Sequence, residues 1–257
     1  MNMRKIQLTL IQIDNYGPWT VTPRPRREAD LQVLQAELYA ALEREFGALG
    51  GLVFCTRFDN VIAVTNGIGV EDHGRILREI NSGFPVTVSM GIGSAETAYG
   101  AQVEATLALQ RAGGSRSEAR RGVLVGSPVA APDEDWVQIA HIDVNHSTLI
   151  TDSEPIYDTH LLLQRTYMAL ASSLYRKKSL VFYTGGDNFM ALSNGVDLRG
   201  IEETFAEVKR QVGFGLKAGV GAARTAEAAA RLASEGLHEI RGGLANGQLV
   251  FKSEGQH

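Results

Sequence analysis

The sequence predicts an α+β protein made of two tandem domains, each with the element order β-α-β-β-α-β. Residues 52–67 and 180–195 share nine of sixteen positions at an offset of 128, which indicates an internal repeat. A glycine-containing segment recurs at the same offset, at residues 91–98 and 219–226. Within each copy, short alternating apolar runs are separated by segments with helical spacing. This order is typical of ferredoxin-like domains.

The first copy opens with a strand, because apolar and polar residues alternate over 5–13. Residues 28–46 place leucines on one helical stripe, and Gly47 is a natural end for that helix. The β-rich runs 52–56 and 61–65 flank the turn sequence RFDN and predict a hairpin. The remaining elements predicted for this copy are helix 71–82, strand 85–93 and helix 97–112.

The second copy repeats this order and adds a final strand. Its predicted elements are strand 136–144, helix 155–175, a hairpin around 185–188, helix 200–212, strand 214–222, helix 225–240 and strand 248–252. The stretch 128–135 is rich in proline and acidic residues, which suits a linker. We therefore predict domains at 1–127 and 136–257, joined by that linker.

Composition excludes several functional classes. The formal charge is −4, so no basic excess favours a nucleic-acid polymer as partner. A single cysteine, Cys55, excludes an internal disulfide framework and cysteine-rich metal sites. The sequence has no run of about 18 apolar residues, so it predicts no membrane span. Its first residues lack the unbroken apolar stretch of a signal peptide. We expect a soluble cytoplasmic protein that does not bind a membrane.

Two aspartates in each copy suggest metal binding. Asp14 and Asp143 lie at the end of the first strand of each copy and match at an offset of 129, while Asp59 and Asp187 lie at the hairpin tips. In this fold the two strands are neighbours, so the carboxylates of each copy are expected to converge. Such oxygen pairs suit Mg²⁺, which shares its shell with substrate phosphates. Alternatively, hairpin Asp-Asn pairs are ordinary turn formers.

Two segments are candidates for nucleotide contacts. Gly185 and Gly186, which replace Arg57 and Phe58 of the first copy, let backbone approach a phosphate, although Gly-Gly is also a common turn. The proline-rich loop 15–28 is predicted to be extended and stiff. Its aromatic residues suit stacking on a purine and its arginines suit a triphosphate; alternatively, the arginines are solvated and the aromatics pack on the sheet.

Further candidates lie near the second copy's strands. His146 follows the first strand and is a candidate general base, and Lys217 and Arg224 are candidate phosphate contacts. Arg116, Arg120 and Arg121 are expected to be solvated in a surface loop. The full set of predicted nucleotide contacts is Asn15, Tyr16, Trp19, Arg24, Arg26, Arg27, Arg57, Asn60, Asn145, Gly185, Gly186, Asn188, Lys217 and Arg224.

The motif Gly185-Gly186-Asp187-Asn188-Phe189 resembles the palm of GGDEF-type nucleotide cyclases and related polymerases. Longer strings carry a closer resemblance, namely IQIDNYGPWTVTPRPRRE at 11–28, GLVFCTRFDN at 51–60, VQIAHIDVN at 137–145, GGDNFMALSNG at 185–195 and LKAGVGAARTAE at 216–227. By these strings the chain resembles the archaeal-type GTP cyclohydrolase III family over essentially its whole length.

The resemblance implies a hydrolase that opens the guanine imidazole ring of GTP, at a cyclic amidine carbon–nitrogen bond, and retains the formyl group. It also implies cleavage of phosphoanhydride bonds with release of two phosphates, giving 2-amino-5-formylamino-6-(5-phosphoribosylamino)pyrimidin-4(3H)-one. The implied cofactors are two or more Mg²⁺ ions, with a monovalent cation such as K⁺ in addition. Palm domains often pair, so a homo-oligomer is expected.

The residues leave two other functions open, a GGDEF-like nucleotidyl cyclase or transferase and a non-catalytic guanine-nucleotide sensor. One cysteine and six histidines without metal-ligand spacing argue against a zinc deaminase-type site. Intact aspartates in both copies argue against the sensor. On this view Asp59, Asp187 and His146 are the expected catalytic residues, and Asp14, Asp59, Asp143 and Asp187 the expected metal ligands.

Overall fold

The structure is a computed structural model that describes residues 4–117, 119–131, 133–145 and 152–255. The chain divides into two compact units. One contains the residues up to Glu96 together with Gly100–Asp135, and the other contains Thr97–Tyr99 and the residues from Trp136 onward. Each unit has its own five-stranded sheet, so the predicted α+β class is confirmed.

In the first unit the sheet order is β2-β3-β1-β4-β5. The strands are β1 (Ile6–Ile13), β2 (Leu52–Arg57), β3 (Asn60–Val64), β4 (Val88–Ala95) and β5 (Leu124–Gly126). The helices of this half of the chain are α1 (Tyr16–Val21), α2 (Glu28–Gly47), α3 (Val70–Gly83) and α4 (Ala98–Ala112). The first four strands have the ferredoxin-like arrangement, and β5 adds a parallel edge strand that the sequence did not predict.

The second unit has the same strand order, β7-β8-β6-β9-β10. Its strands are β6 (Val137–Val144), β7 (Leu180–Gly185), β8 (Asn188–Leu192), β9 (Leu216–Ala223) and β10 (Leu249–Ser253). Its helices are α5 (Ile156–Arg176), α6 (Leu198–Val212) and α7 (Ala226–Arg241). The predicted elements are therefore present, with boundaries that move by up to three residues. None of the described helices has the length and apolarity to cross a bilayer.

A core fills one face of each sheet. In the first unit, the leucine stripe of α2, with Leu38, Leu42 and Phe46 almost fully buried, packs against β1 and β3. In the second unit, α5 and α6 supply Leu170 and Phe205 to the equivalent core. Full burial of such side chains contributes about 1.5–3 kcal/mol each. This packing fixes the strands of each sheet, and with them the residues at the strand ends.

The opposite face of each sheet is covered by one closely packed helix. A Cβ on Gly219 would collide with the backbone of Ala233 in α7, and one on Gly221 would collide with the backbone of Ala229. Glycine is therefore needed at both positions for the helix to approach the strand. Gly91 and Gly93 play the same part beneath α4. The recurring glycines noted in the sequence are explained by this contact.

The start of the first strand in each unit is held by what we call the amide clamp, formed by Gln7 with Asn66 and by Gln138 with Asn194. The Asn66 side chain accepts from the backbone N–H of Gln7 (2.8 Å). The side-chain amide of Gln7 donates to the Thr65 and Ile68 carbonyls. Gln138 and Asn194 make the equivalent bonds. This use of the repeated Asn-Gly pairs is structural.

The strand register corrects the match between Asp14 and Asp143. Gln12 pairs with Asn60 across β1 and β3, whereas Asp143 pairs with Asn188 across β6 and β8. Asp143 therefore occupies the position of Gln12, and Asp14 occupies that of Asn145. The chain between strand and hairpin is three residues shorter in the second copy, 45 instead of 48. The offset of 129 thus aligned two aspartates that are not equivalent.

The proline-rich loop is only partly as predicted. Residues Tyr16–Val21 form a short helix in place of an extended segment. Pro18 lies in the first turn of this helix, where its missing N–H has no intrahelical partner to lose. Asn15, directly before the helix, adopts a left-handed conformation with φ 53°. The residues after Val21 are non-helical up to α2, as the sequence predicted.

Candidate functional site

Two carboxylates meet at one end of the second unit's sheet. Asp143 is the next-to-last residue of β6, and Asp187 lies in the turn between β7 and β8. The side chain of Asp187 interacts with that of Asp143 and helps to lower the pKa of Asp143. Because β6 and β8 are adjacent antiparallel strands, the end of one and the start of the other are side by side. The convergence expected from the sequence is therefore present in this unit.

Asp143 is buried and is surrounded by positive charge. Its Oδ2 atom lies 2.9 Å from Lys217 Nζ and 3.0 Å from Arg241 Nε. Burial alone would raise the pKa of Asp143, but hydrogen bonds from Arg241 and Lys217 outweigh it and lower that pKa. The carboxyl group is therefore ionised at neutral pH. Its Oδ1 atom is buried and has no hydrogen-bond partner among the described residues.

Asn188 links this carboxylate pair to a second layer of side chains. Its amide nitrogen donates to Asp187 Oδ1 (2.9 Å), while its amide oxygen accepts from Arg241 (3.2 Å) and lies 3.1 Å from His141 Nε2. The other ring nitrogen of His141 lies 3.0 Å from Ser234 Oγ. Burial lowers the pKa of His141, and this favours the neutral ring. Both ring nitrogens are thus engaged, and His141 orients Asn188.

The turn that carries Asp187 is open on its glycine side. Gly185 and Gly186 have φ values of +110° and +58°, which few other residues adopt. No heavy atom lies within 4 Å of a Cβ built on Gly185. The two glycines therefore leave space in which a ligand can approach the backbone beside Asp187.

This arrangement fits a divalent cation. Two carboxyl groups this close are stabilised by a cation or a proton between them, and Asp143 offers an oxygen that no donor fills. Within the described ranges, no group of three or more His, Cys, Asp or Glu side chains is placed to hold a metal. A cation held by this pair therefore takes its other ligands from water or from a bound anion, as Mg²⁺ does.

The first unit has different chemistry at the matching positions. Gln12, the counterpart of Asp143, donates to Asn60 Oδ1 (2.8 Å). Asp59, the counterpart of Asp187, is paired with Arg57, whose Nε lies 3.3 Å from Asp59 Oδ1. Gln12, a neutral amide, thus replaces the carboxylate of Asp143, and Arg57 replaces Gly185. These substitutions make the first unit the poorer cation site.

Asp14 is buried, and protein donors surround its carboxylate. Oδ1 accepts from Ser89 Oγ (2.7 Å) and Arg120 Nη2 (3.3 Å). Oδ2 accepts from Thr87 Oγ1 (3.0 Å) and the amide of Gly122 (2.9 Å). Arg120, expected to be solvated, has only 2% of its surface exposed, so that prediction was wrong. The buried carboxylate of Asp14 compensates the buried guanidinium.

The proline-rich segment lines a cleft of about 700 Å³ in the first unit. The structure brings four predicted nucleotide contacts to this cleft: Trp19, Arg24, Arg26 and Arg27. The Arg26 guanidinium lies 3.7 Å from the centroid of the Trp19 ring, and Arg26 Nε donates to the Trp19 carbonyl. Tyr16 also stacks on Trp19 and accepts from Gln35. Stacking of a base on the Trp19 face that Arg26 covers would require this arginine to move.

Other predicted residues are not brought together. Lys217 is near the start of β9 and lies at the carboxylate pair, whereas Arg224 follows its end. Seven residues of strand at about 3.4 Å each separate the two, so the structure does not bring these two candidate phosphate contacts to one place. Asn145 lies one residue beyond β6, and its amide donates to the Gly215 carbonyl. His146 lies outside the described residues.

Sequence reasoning missed Arg241, Arg120 and Gln12 as parts of these two strand ends. Arg241 is 98 residues from Asp143, and Arg120 is 106 residues from Asp14. Their charges appeared at the end of a helix and in a glycine-rich loop, where exposed arginines are common. The substitution of Gln12 for an aspartate would have been visible only with the correct register.

Comparison with known proteins gives one consistent family. A family model described as GTP cyclohydrolase III matches residues 6–254. The GTP cyclohydrolase III of Methanobrevibacter smithii is 54% identical over 238 residues, which cover 92% of this chain and 94% of the relative. That of Methanothermobacter thermautotrophicus is 54% identical over 240 residues, covering 93% and 96%. Among solved structures, the GGEEF domain of a diguanylate cyclase from Vibrio cholerae aligns with 48% of this chain and 85% of its own at 11% identity, with a TM-score of 0.37.

Proposed function

Because the chain belongs to the GTP cyclohydrolase III family, we propose that it is a hydrolase that acts on GTP and opens its guanine imidazole ring. One water adds at the imidazole carbon, one ring carbon–nitrogen bond breaks, and the carbon stays on the pyrimidine as a formyl group. Two further waters release two phosphates from the triphosphate. The product is the formylaminopyrimidine ribonucleotide monophosphate expected from the resemblance.

The observation that carries this proposal is the pairing of Asp143 with Asp187 beside an unfilled carboxylate oxygen. These two residues would hold Mg²⁺, which when bound neutralises triphosphate charge and acts as a Lewis acid at phosphoryl oxygens. Asp14 is not proposed as a ligand, since four protein donors already occupy it. The residue beside the hairpin tip of Asp59 is Gln12 and not a carboxylate, so Asp59 is proposed as the weaker candidate for a metal ligand.

The surrounding residues have positioning and electrostatic roles in this proposal. Lys217 and Arg241 hold Asp143 ionised and supply positive charge for phosphate oxygens. Gly185 and Gly186 leave room for a phosphate beside the backbone. Asn188 and His141 keep the Asp187 carboxylate oriented. The arginines of the proline-rich segment are proposed to contact nucleotide phosphates, and His146 remains the predicted general base.

The test is incubation of the purified protein with GTP and Mg²⁺, followed by ultraviolet spectra and measurement of released phosphate. We expect loss of the purine band and two phosphates per GTP. An intact purine with release of pyrophosphate would instead identify a nucleotidyl cyclase or transferase. Tight GTP binding without turnover would identify a nucleotide sensor. Asp187→Asn, measured in parallel, links the chemistry to the carboxylate pair.

A further inference from the structure

Asp14 and Arg120 form a buried ion pair that the proposed metal chemistry does not use. The two side chains are 1% and 3% exposed, and their charged atoms are 3.3 Å apart. Burying two charges is costly and is retained only where good geometry or a role compensates for it. The second copy has Asn145 in place of Asp14, so the fold itself does not require a carboxylate at this position.

The pair joins two segments that are far apart in sequence. Asp14 directly follows β1, and Arg120 and Gly122 contact it from a stretch of chain more than a hundred residues later. Besides Arg120, the amide of Gly122 donates to Asp14 Oδ2 (2.9 Å), and the amide of Asn15 donates to the Ser115 carbonyl (2.7 Å). The segment 113–122 is therefore fastened to the first residues of the proline-rich segment at three points.

Fastening at Asp14 and Asn15 determines where α1 begins. Asn15 is held in the left-handed conformation from which the helix starts, and α1 then directs Tyr16 and Trp19 to their places. Arg116 of the segment 113–122 lies against the backbone of Gly17, because a Cβ on that glycine would be 3.7 Å from Arg116 Nη2. The orientation of Trp19, and of Arg26 stacked on it, thus depends on the segment 113–122.

We propose that Asp14 and Arg120 are positioning residues that hold the Asn15–Arg27 segment in its nucleotide-receiving conformation, and that Asp14 does not bind metal. The inference rests on the proposed function in one respect, that this segment receives GTP. It assigns to an aspartate at a strand end a task different from that of Asp143. The charge of Arg120 does for Asp14 what a cation does for the carboxylate pair of the second unit.

The test uses Arg120→Gln, which removes the charge and leaves Asp14 with three of its four donors. Arg120→Lys keeps the charge, and Arg111→Gln removes an exposed arginine at the end of α4 as a matched control. Hydrogen exchange followed by mass spectrometry needs no GTP. We expect amide exchange in Arg120→Gln to accelerate about tenfold or more in peptides covering both 14–24 and 113–125, as loss of a charge-assisted hydrogen bond predicts. Arg120→Lys should restore slow exchange.

Kinetics and metal titration complete the test. In Arg120→Gln, KM for GTP should rise about tenfold while kcat and the Mg²⁺ concentration for half activity stay near those of the wild type. Unchanged exchange in 14–24, or an unchanged KM, would overturn the positioning role. In Asp14→Asn, a loss of Mg²⁺ affinity equal to that in Asp143→Asn would show that Asp14 binds metal. If the wild type does not act on GTP, the proposed function fails, and the exchange measurement alone decides whether the pair fastens the two segments.

Discussion

At the scale of single residues, the same residue type has different tasks according to its neighbours. Asp143 has an unfilled oxygen and a second carboxylate beside it, whereas Asp14 is surrounded by donors. Asp59 is half of an ion pair with Arg57 at a partly exposed hairpin tip. Surface pairs of this kind contribute about 0–1 kcal/mol. Only the environment, and not the residue type, separates these three aspartates.

The first prediction compares the two hairpin aspartates. Asp187→Asn preserves shape and removes one carboxylate of the pair, so we expect turnover of GTP to fall about 10²-fold or more, as for loss of other electrostatic groups in active sites. Asp59→Asn should lose less, because its neighbour in the next strand is Gln12 and not a carboxylate. Turnover and circular dichroism of both variants measure this. Equal losses in the two variants would argue that both hairpins serve the reaction alike.

At the scale of elements, glycine determines how closely a helix approaches the sheet. α7 lies directly on β9 at Gly219 and Gly221, and its last residue, Arg241, thereby reaches Asp143. The sheet face and the carboxylate pair are thus linked through one helix. A change in this packing is expected to affect stability and the site together.

The second prediction is that Gly221→Ala destabilises the second unit. The added Cβ meets the backbone of Ala229 and Ala233, which cannot rotate away. Overpacking of this kind costs about 1–3 kcal/mol, and displacement of α7 should also weaken the contact of Arg241 with Asp143. Gly47→Ala is the control, because no heavy atom lies within 4 Å of a Cβ at that helix end. Thermal unfolding measures both, and a Gly221→Ala variant as stable as Gly47→Ala would contradict the packing argument.

A buried histidine links α3 to β1. His73 is fully buried, its Nδ1–H donates to the Gly69 carbonyl (2.7 Å), and its Nε2 lies 2.8 Å from Thr9 Oγ1. The carbonyl partner assigns the proton to Nδ1, so Nε2 accepts from the threonine. Burial lowers the pKa of His73. Protonation of His73 at Nε2 would add a charge in the core. It would also stop Nε2 from accepting the hydrogen bond of Thr9 Oγ1.

The third prediction follows from that lowered pKa. In the unfolded chain this histidine binds a proton at about pH 6.5, whereas in the folded protein its pKa is lower. The contribution of His73 to stability is therefore full above about pH 6.5 and is lost as the pH falls from there towards the pKa of the folded state. Urea unfolding at pH 7.5 and 5.5 should show this loss, and His73→Gln should reduce it. His160→Gln, an exposed control, should keep the wild-type dependence. An unchanged dependence in His73→Gln would show that other groups cause it.

At the scale of the whole molecule, the elements were predictable and the division between the copies was not. Periodicity predicts the strands and helices because each element buries one face. The strand register depends instead on the number of residues between β1 and β3, which the sequence match at Asp14 and Asp143 concealed. The contacts of Arg120 and Arg241 could not be predicted, since they join residues about a hundred positions apart. The amide clamp was visible only as a repeated Asn-Gly pair.

The fourth prediction concerns the metal and the whole chain. EDTA should abolish turnover and Mg²⁺ should restore it, because a triphosphate and two carboxylates repel each other without a cation. Without nucleotide, Mg²⁺ at 100 times its Kd should stabilise the wild type by about 2.7 kcal/mol. This gain should disappear in Asp143→Asn and remain in Gln12→Ala. Differential scanning calorimetry measures the gain, and full turnover in metal-free buffer would refute the two-carboxylate argument.

The amide clamp also has a consequence for laboratory evolution of this chain. Both copies hold the start of the first strand with the same Gln and Asn pair, while the far end of that strand carries different side chains in the two copies. Random substitutions at the clamp should therefore lower the yield of folded protein in either half. Substitutions at Gln12 or Asn145 should act mainly on catalytic behaviour, whereas those at the buried Asp14 and Asp143 should also lower stability. A library sorted first for expression would lose the clamp variants and keep diversity where new activities can arise.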